Sequence, residues 1–142
     1  MSYLVDTNVV SELRKRERAN QGVVTWFRER EPEELYLSVL VIGELRRGAA
    51  RIRRRDPAFG VVLDSWVAEI GERFSDRILP VNHAIAERWG EVSAHPTLPD
   101  VDSLLAATAL VHDLTVVTRN VRHIAPSGAR CLDPFGGTAG IC

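Results

Sequence analysis

Cysteine, lysine and long apolar runs are all scarce in this chain of 142 residues. The only cysteines are Cys131 and Cys142, and neither lies in a C-x-x-C pair or at zinc-ligand spacing from a histidine. This argues against a zinc site and against a disulfide framework, and it fits the reducing environment of the cytoplasm. No stretch approaches the roughly 20 apolar residues of a membrane-spanning helix, and no basic start followed by an apolar run marks a signal peptide. We therefore expect a cytoplasmic protein without membrane contact.

Positive charge is carried almost entirely by arginine, since Lys15 is the only lysine. The net charge of -1 conceals a local excess in which six arginines fall within ten positions: Arg46, Arg47, Arg51, Arg53, Arg54 and Arg55. Arginine forks match the geometry of phosphate groups better than lysine does. Arg51, Arg54 and Arg55 are therefore our candidates for binding a phosphate-rich substrate. A solvated helix face is the alternative explanation of the same cluster.

The length suits a single domain with a core of its own, and 45% hydrophobic with 26% charged residues is typical of a globular protein. We predict one domain over residues 1–135 and a flexible, glycine-rich tail over 136–142. Strands are predicted near Tyr3–Val5, Leu35–Ser38, Ile78–Val81, Thr115–Thr118 and Arg130–Leu132. Helices are predicted over about Val9–Lys15, Gln21–Glu29, Val39–Arg54, Phe59–Ser75, His83–Ala94 and Val101–His112.

Strands that alternate with helices in this way predict an α/β fold with a mostly parallel sheet, covered by helices on both faces. Ser38 and Asn82 stand where two of the helices begin and are predicted to cap them. In open sheets of this type the functional site lies beyond the carboxyl ends of the strands. Asp6 and Asn120 both follow predicted strands, so the site is expected beside them.

Three acids stand at positions that such a sheet can bring together. Asp6 ends the first strand, Glu44 lies early in a helix, and Asp102 opens the apolar helix near the middle of the second half. Carboxylates gathered at one edge repel one another unless a cation sits between them. Ligands that are all oxygen suit Mg²⁺ or Mn²⁺, so the three acids would form a metal site if the fold brings them together.

Each of these residues also has an ordinary structural explanation. Asp6 and Asn120 are both residues that shape turns by bonding the backbone that follows them. Glu44 lies at the edge of an apolar stripe and reads equally well as an exposed helix residue. Asp102 is placed to favour the helix dipole, and Asp100 competes with it for the capping position.

Taken in order along the chain, the blocks around these residues resemble the PIN-domain ribonucleases, in particular the VapC-like toxins of bacterial toxin–antitoxin pairs. A single Asp-Thr-Asn is a weak signal, whereas four blocks in the family's order cover nearly the whole chain. The Ser-Glu-Leu and Leu-Asp-Pro-Phe segments favour the FitB-like branch. The blocks are Val5–Leu13, Ile42–Gly48, Asp102–Ala109 and Val117–Asn120.

The resemblance implies roles residue by residue. Asp6, Glu44 and Asp102 are the carboxylates around the metal, and Asn120 together with Thr118 orients the remaining side of the pocket. Many relatives carry an acid three residues after the asparagine, where this chain has His123. The fourth carboxylate is therefore missing or replaced, which favours one firmly held metal over two.

What the resemblance implies as a whole is a PIN-like three-layer α/β/α fold and a metal-dependent endoribonuclease, using Mg²⁺ or Mn²⁺, that acts as a toxin. A homodimer and a cognate antitoxin are implied as well, and an apolar segment around Phe59–Leu63 and Trp66 is a candidate interaction face. One rival is a PIN-fold protein that binds RNA or a partner without cutting. A phosphorylated receiver domain is the other, but it requires a lysine at the end of a late strand, where this chain has Arg119.

Overall fold

The computed structural model describes residues 1–94, 98–136 and 140–142. A six-stranded sheet has the spatial order β3-β2-β1-β4-β5-β6, in which β1 to β5 are parallel and β6 is antiparallel to β5. The strands are β1 (Tyr3–Val5), β2 (Leu35–Ser38), β3 (Ile78–Leu79), β4 (Thr115–Val117), β5 (Cys131–Asp133) and β6 (Gly140–Ile141). The five strands predicted from the sequence are all present, and the parallel α/β architecture is confirmed.

Seven α-helices connect and cover these strands in the described part of the chain. They are α1 (Thr7–Leu13), α2 (Gln21–Arg28), α3 (Val39–Arg55), α4 (Pro57–Arg73), α5 (His83–Val92), α6 (Asp100–His112) and α7 (Val121–Ile124). Helices α1 to α4 contact one another, and α5 to α7 form a second contacting group. The two groups cover the sheet as the outer layers of an α/β/α fold.

The helix boundaries follow from capping residues that the sequence displays. The Ser38 side chain accepts a hydrogen bond from the amide of Leu40, and Asn82 accepts one from the amide of Ile85. Both predicted caps are therefore confirmed. Asp56 ends α3 and its side chain also caps α4, so a single residue forms the corner between the two long helices. Among the α-helices of the described ranges, short α7 is the one that the sequence did not predict.

Close packing of α3 against α4 depends on a glycine. A Cβ atom placed on Gly60 would collide with the backbone and Cβ of Arg53, so only glycine lets the two helices approach this closely. The central strands are wholly buried, with Leu4, Val5, Val116 and Val117 at 0% exposure. This is the continuous apolar pattern of a parallel sheet that is covered on both faces.

The end of the chain differs from the predicted tail. Residues 137–139 lie outside the described residues, whereas Gly140–Ile141 pair with β5 as an edge strand. That pairing carries Cys142 back beside Cys131, with their Cα atoms 5.2 Å apart, a separation at which two cysteines can form a disulfide. The argument against a disulfide framework did not foresee this proximity, because nothing in the sequence indicates β6. No helix in the described ranges is both long enough and apolar enough to cross a bilayer.

Candidate active site

The acids predicted from the sequence lie where the strand order of the sheet reverses. From β1 the chain moves outward through β2 and β3, and it then returns to the other side of β1 to form β4 and β5. The carboxyl ends of β1 and β4 therefore stand side by side at a switch point, the position at which open α/β sheets bind ligands. Asp6 follows β1 directly and Thr118 follows β4.

Asp6 is the buried centre of this site, with only 4% of its surface exposed. Oδ1 accepts a hydrogen bond of 2.7 Å from the amide of Thr7, which caps α1. Oδ2 accepts a hydrogen bond of 2.7 Å from the hydroxyl of Thr118 and a longer one of 3.3 Å from the side-chain Nδ2 of Asn8. These bonds fix the carboxylate between the two strand ends.

Burial raises the pKa of Asp6 from 3.8 to about 6, against the opposing effect of its hydrogen bonds from Thr118 and Thr7. The negative charges of Asp102 and Glu44 raise the pKa further. All three acids therefore belong to one electrostatic site. A carboxylate held this far from its ordinary pKa, in company with two others, is a common property of active sites.

Glu44 reaches Asp6 through Thr7. The Thr7 hydroxyl donates a hydrogen bond of 2.6 Å to Oε1 of Glu44, while its amide donates to Asp6. Oε2 of Glu44 lies 3.6 Å from the guanidinium of Arg47, one helical turn along α3. Helix α3 starts at the carboxyl end of β2, so the sheet topology places Glu44 at the same edge as Asp6.

Asp102 approaches from the first turn of α6, and its side chain is 14% exposed. Its Oδ2 lies 2.8 Å from Nδ1 of His123. Asp100 is also in the first turn, but its side chain is exposed and makes no hydrogen bond to the other acids within the described residues. His123, which stands at the position of the family's fourth acid, therefore contacts the site, and Asp100 does not.

The two residues expected to complete the pocket contribute differently from the prediction. Thr118 is completely buried, so it supports Asp6 and does not lie where a substrate would contact it. Asn120 is exposed; its backbone amide donates 2.9 Å to the Thr118 hydroxyl, and no hydrogen bond joins its side chain to the acids in the part of the chain that the structure describes. Its catalytic role stays a prediction.

The donor chemistry of the site fits a hard divalent cation, because the three side chains offer only carboxylate oxygens. Among residues 1–94, 98–136 and 140–142, no three histidine, cysteine or acidic side chains are grouped as closely as the ligands of a metal ion. Glu44 is directed to Thr7 and Asp102 to His123. By type and charge the three acids nevertheless suit such a cation, because all of their donor atoms are carboxylate oxygens.

Comparison with known proteins identifies the family. The model of the PIN domain family matches residues 3–127. This chain belongs to the PIN domain family. The toxin FitB of Neisseria gonorrhoeae is 30% identical over 137 residues, which cover 93% of this chain and 97% of FitB. The VapC ribonuclease Y4jK of Sinorhizobium fredii is 29% identical over 140 residues, with 93% and 96% covered. The crystal structure of FitAcB from N. gonorrhoeae superposes with a TM-score of 0.86 at 30% identity, covering 94% of this chain and 99% of that one.

Sequence reasoning overlooked two residues that hold this PIN-domain site together. Thr7 bridges Asp6 and Glu44, as described above. The Asn8 side chain links the strand ends, since its Nδ2 donates to the Thr118 hydroxyl at 3.3 Å and its Oδ1 accepts from the backbone amide of Arg119 at 3.1 Å. The Asp-Thr-Asn motif was visible as a unit, but its second and third residues have partners 37 and 111 positions away, which no local pattern reveals.

Proposed function

We propose that this PIN-domain protein is a divalent-metal-dependent endoribonuclease of the cytoplasm and the toxin of a toxin–antitoxin pair. The observation that carries the proposal is the acid site, in which buried Asp6 shares one electrostatic environment with Glu44 and Asp102 at the switch point of the sheet. The names of the relatives, a toxin and a VapC ribonuclease, support the same conclusion.

In this proposal Asp6, Glu44 and Asp102 hold Mg²⁺ or Mn²⁺, and Asn120 orients the open side of the site. A cation of this kind supplies, when bound, a more acidic water and a positive charge opposite a phosphoryl oxygen. The chain's own contribution is positional. Thr118 fixes the direction of Asp6, and Thr7 sets Glu44 relative to it.

RNA would approach along α3, which carries both Glu44 and the arginine cluster. At about 100° per residue, Arg51 and Arg55 point within about 20° of Glu44, and they follow it by about 10 Å and 16 Å along the helix axis. Arg54 lies about 80° away from this direction. All three are exposed, and no ion pair joins them to an acid in the described ranges. They are free to meet phosphates.

Two other arginines of the cluster form ion pairs within the fold. Arg46 and Arg53 point away from Glu44 by about 160° and 180°. Both bind Asp64 of α4, at 2.9 Å and 2.5 Å. Both are held by the same carboxylate, which balances one of their two charges, and this makes them a matched control for Arg51 and Arg55.

A separate groove of about 820 Å³ is suited to the antitoxin, and it lies between α4 and the first two helices. Its apolar lining includes Leu13, Phe27 and Trp66, together with Val61 and Val62, which are 59% and 60% exposed. Five arginines also line it: Arg14, Arg16, Arg30, Arg73 and Arg77. A partner segment with apolar anchors and acidic neighbours complements this surface. We propose the antitoxin as its occupant, and a homodimer as the functional assembly.

The decisive experiment is cleavage of a total-RNA pool by antitoxin-free protein in Mg²⁺, in Mn²⁺ and in EDTA. We expect cleavage only with a cation, and its loss in Asp6→Asn, while RNA binding by that variant persists. The acids and the arginines serve different steps, so the two activities should separate. Tight binding without cleavage under either cation would instead favour a non-catalytic PIN-fold binding protein.

The arginine assignment has its own test by filter binding across a salt series. Replacing Arg51 and Arg55 together with Ala should lower the salt slope of log K by about 1.4, because each phosphate contact to a single strand contributes about 0.7. The Arg46→Ala, Arg53→Ala double variant removes the same formal charge and should leave the slope nearly unchanged. Equal losses in both would show a diffuse charge effect and no defined RNA path.

The groove assignment predicts that Val62→Asp abolishes co-purification with the proposed antitoxin, while RNA cleavage remains. Val111→Asp is the matched control, because Val111 is 38% exposed and does not line the groove. Loss of binding in the control, or retention in Val62→Asp, would contradict the assignment.

A further inference from the structure

The side of the acid site formed by α7 contains a contact that the proposed function does not use. His123 lies in α7, and its Nδ1 is 2.8 Å from Oδ2 of Asp102 in α6. The ring is 43% exposed, whereas the Asp102 side chain is only 14% exposed. The contact joins positions 21 residues apart, so it is made by the tertiary fold and not by the helix itself.

A surface ion pair is the ordinary explanation, and such pairs contribute little. Here the carboxylate is mostly buried and depends on this one neighbour. Asp6 has three side-chain or amide donors, and Glu44 has Thr7 and Arg47. Within residues 1–94, 98–136 and 140–142, His123 provides the single hydrogen bond to the Asp102 carboxylate. The direction of that carboxylate is therefore set by the imidazole.

The chemistry of the pair decides what remains available. A neutral imidazole carries one N–H, and a carboxylate accepts only. Nδ1–H therefore donates to Oδ2, which leaves Oδ1 of Asp102 free. A side chain that hydrogen-bonds a metal-ligating group orients that group and affects metal affinity by about 10- to 100-fold. An acid at position 123 would instead add a further carboxylate to the cluster.

We infer that His123 is a positioning residue: its Nδ1–H holds Asp102 so that the three acids take a single divalent cation. This inference rests on the proposed function, because it concerns the same site. Its effect is on the number and the affinity of bound cations, which is measurable without RNA.

The test is Mn²⁺ binding to the full chain, followed by electron paramagnetic resonance and calorimetry, for four proteins. The wild type should bind one Mn²⁺. His123→Asn keeps an N–H close to the position of Nδ1 and should stay within about threefold of the wild-type affinity. His123→Leu keeps bulk without a donor and should bind at least about tenfold more weakly. His123→Asp adds an acid and should bind a second Mn²⁺.

Melting of each variant in EDTA shows that it is folded. Equal affinity of the wild type and His123→Leu would overturn the positioning role, and so would a failure of His123→Asn to restore what His123→Leu loses. Two Mn²⁺ ions on the wild type would overturn the single-cation site. A wild type that binds no Mn²⁺ and cuts no RNA would overturn the inference along with the proposed function, and that pattern is distinct from the other three.

Discussion

Replacing Asp6 with Asn should stabilise the metal-free protein at neutral pH, although Asp6 is the centre of the site. Ionising this carboxylate requires it to be charged while 4% exposed and close to Glu44 and Asp102. Its pKa is raised from 3.8 to about 6, and each tenfold change in an ionisation constant corresponds to about 1.4 kcal/mol. Ionised Asp6 therefore lowers the free energy of unfolding by about 3 kcal/mol.

The pH dependence has a definite sign. Because the folded state binds the proton of Asp6 more tightly than the unfolded chain does, stability is highest below pH 3.8 with respect to this group and is lost as the pH rises through about 6. Asparagine has the same shape, accepts from the Thr7 amide and carries no charge. Its Nδ2 cannot accept the hydrogen bond that Thr118 donates to Oδ2, but that loss does not depend on pH. The stability of Asp6→Asn relative to the wild type should therefore rise by about 3 kcal/mol between pH 4 and pH 7.5.

Urea denaturation in EDTA from pH 4 to 8 measures this difference directly, and the thermal midpoint should rise by about 5–10 °C at pH 7.5. Glu12 is the matched control, since it is also buried. Its pKa is lowered by the hydrogen bond from Lys15, so its contribution is present at neutral pH and is lost as the pH falls. Glu12→Gln should thus destabilise where Asp6→Asn stabilises. A destabilised Asp6→Asn, or a gain independent of pH, would refute the electrostatic reasoning.

Two further changes test the framework around the site. Thr118→Val removes the hydroxyl that donates to Asp6, and it should lower the free energy of unfolding by about 1–3 kcal/mol and abolish most of the cleavage activity. Thr108→Val is the control, because the Thr108 hydroxyl donates to the carbonyl of Leu104 in its own helix, and it should leave cleavage intact. Comparable activities of the two variants would contradict the supporting role of Thr118. Gly60→Ala should lower the free energy of unfolding by about 1–3 kcal/mol, because its Cβ collides with α3. Gly71→Ala, with open space around it, should raise the free energy of unfolding by about 0.5–1 kcal/mol. Unfolding curves of the two variants measure both changes, and a Gly60→Ala as stable as the wild type would refute the close helix contact.

The elements of the fold were predictable because their signals are local. Strand β4 is a run of β-branched residues, and Ser38 and Asn82 mark helix starts by a side chain that bonds the next turn. Element α7 was missed because four residues carry no helical period, and β6 because its pairing is formed with β5 across the chain.

Candidate site residues were predictable by kind, but their partners were not. The sequence marked Asp6 and Asp102 by their positions at a strand end and a helix start. It contained no indication that Thr118 would turn inward to Asp6, a contact that spans the sheet reversal. It also did not indicate that His123 would meet Asp102, a contact between the helices that precede and follow β4. Long-range hydrogen bonds of this type are set by topology, which a single sequence specifies only indirectly.

At the acid site, the charge that the proposed chemistry needs lowers the stability of the fold. Elsewhere the central buried strands are apolar, and side chains cap the first turns of α2, α3, α4 and α5, so that these levels of structure favour the same fold. At the switch point the protein instead buries a carboxylate and surrounds it with two more, at a cost of about 3 kcal/mol for Asp6 alone. A domain of this size ordinarily has about 5–15 kcal/mol of stability, so the cost is tolerable but large. Structural needs alone would be met by asparagine at position 6, which caps α1 without the charge. The acid at position 6 is therefore explained by the divalent cation that we propose it holds.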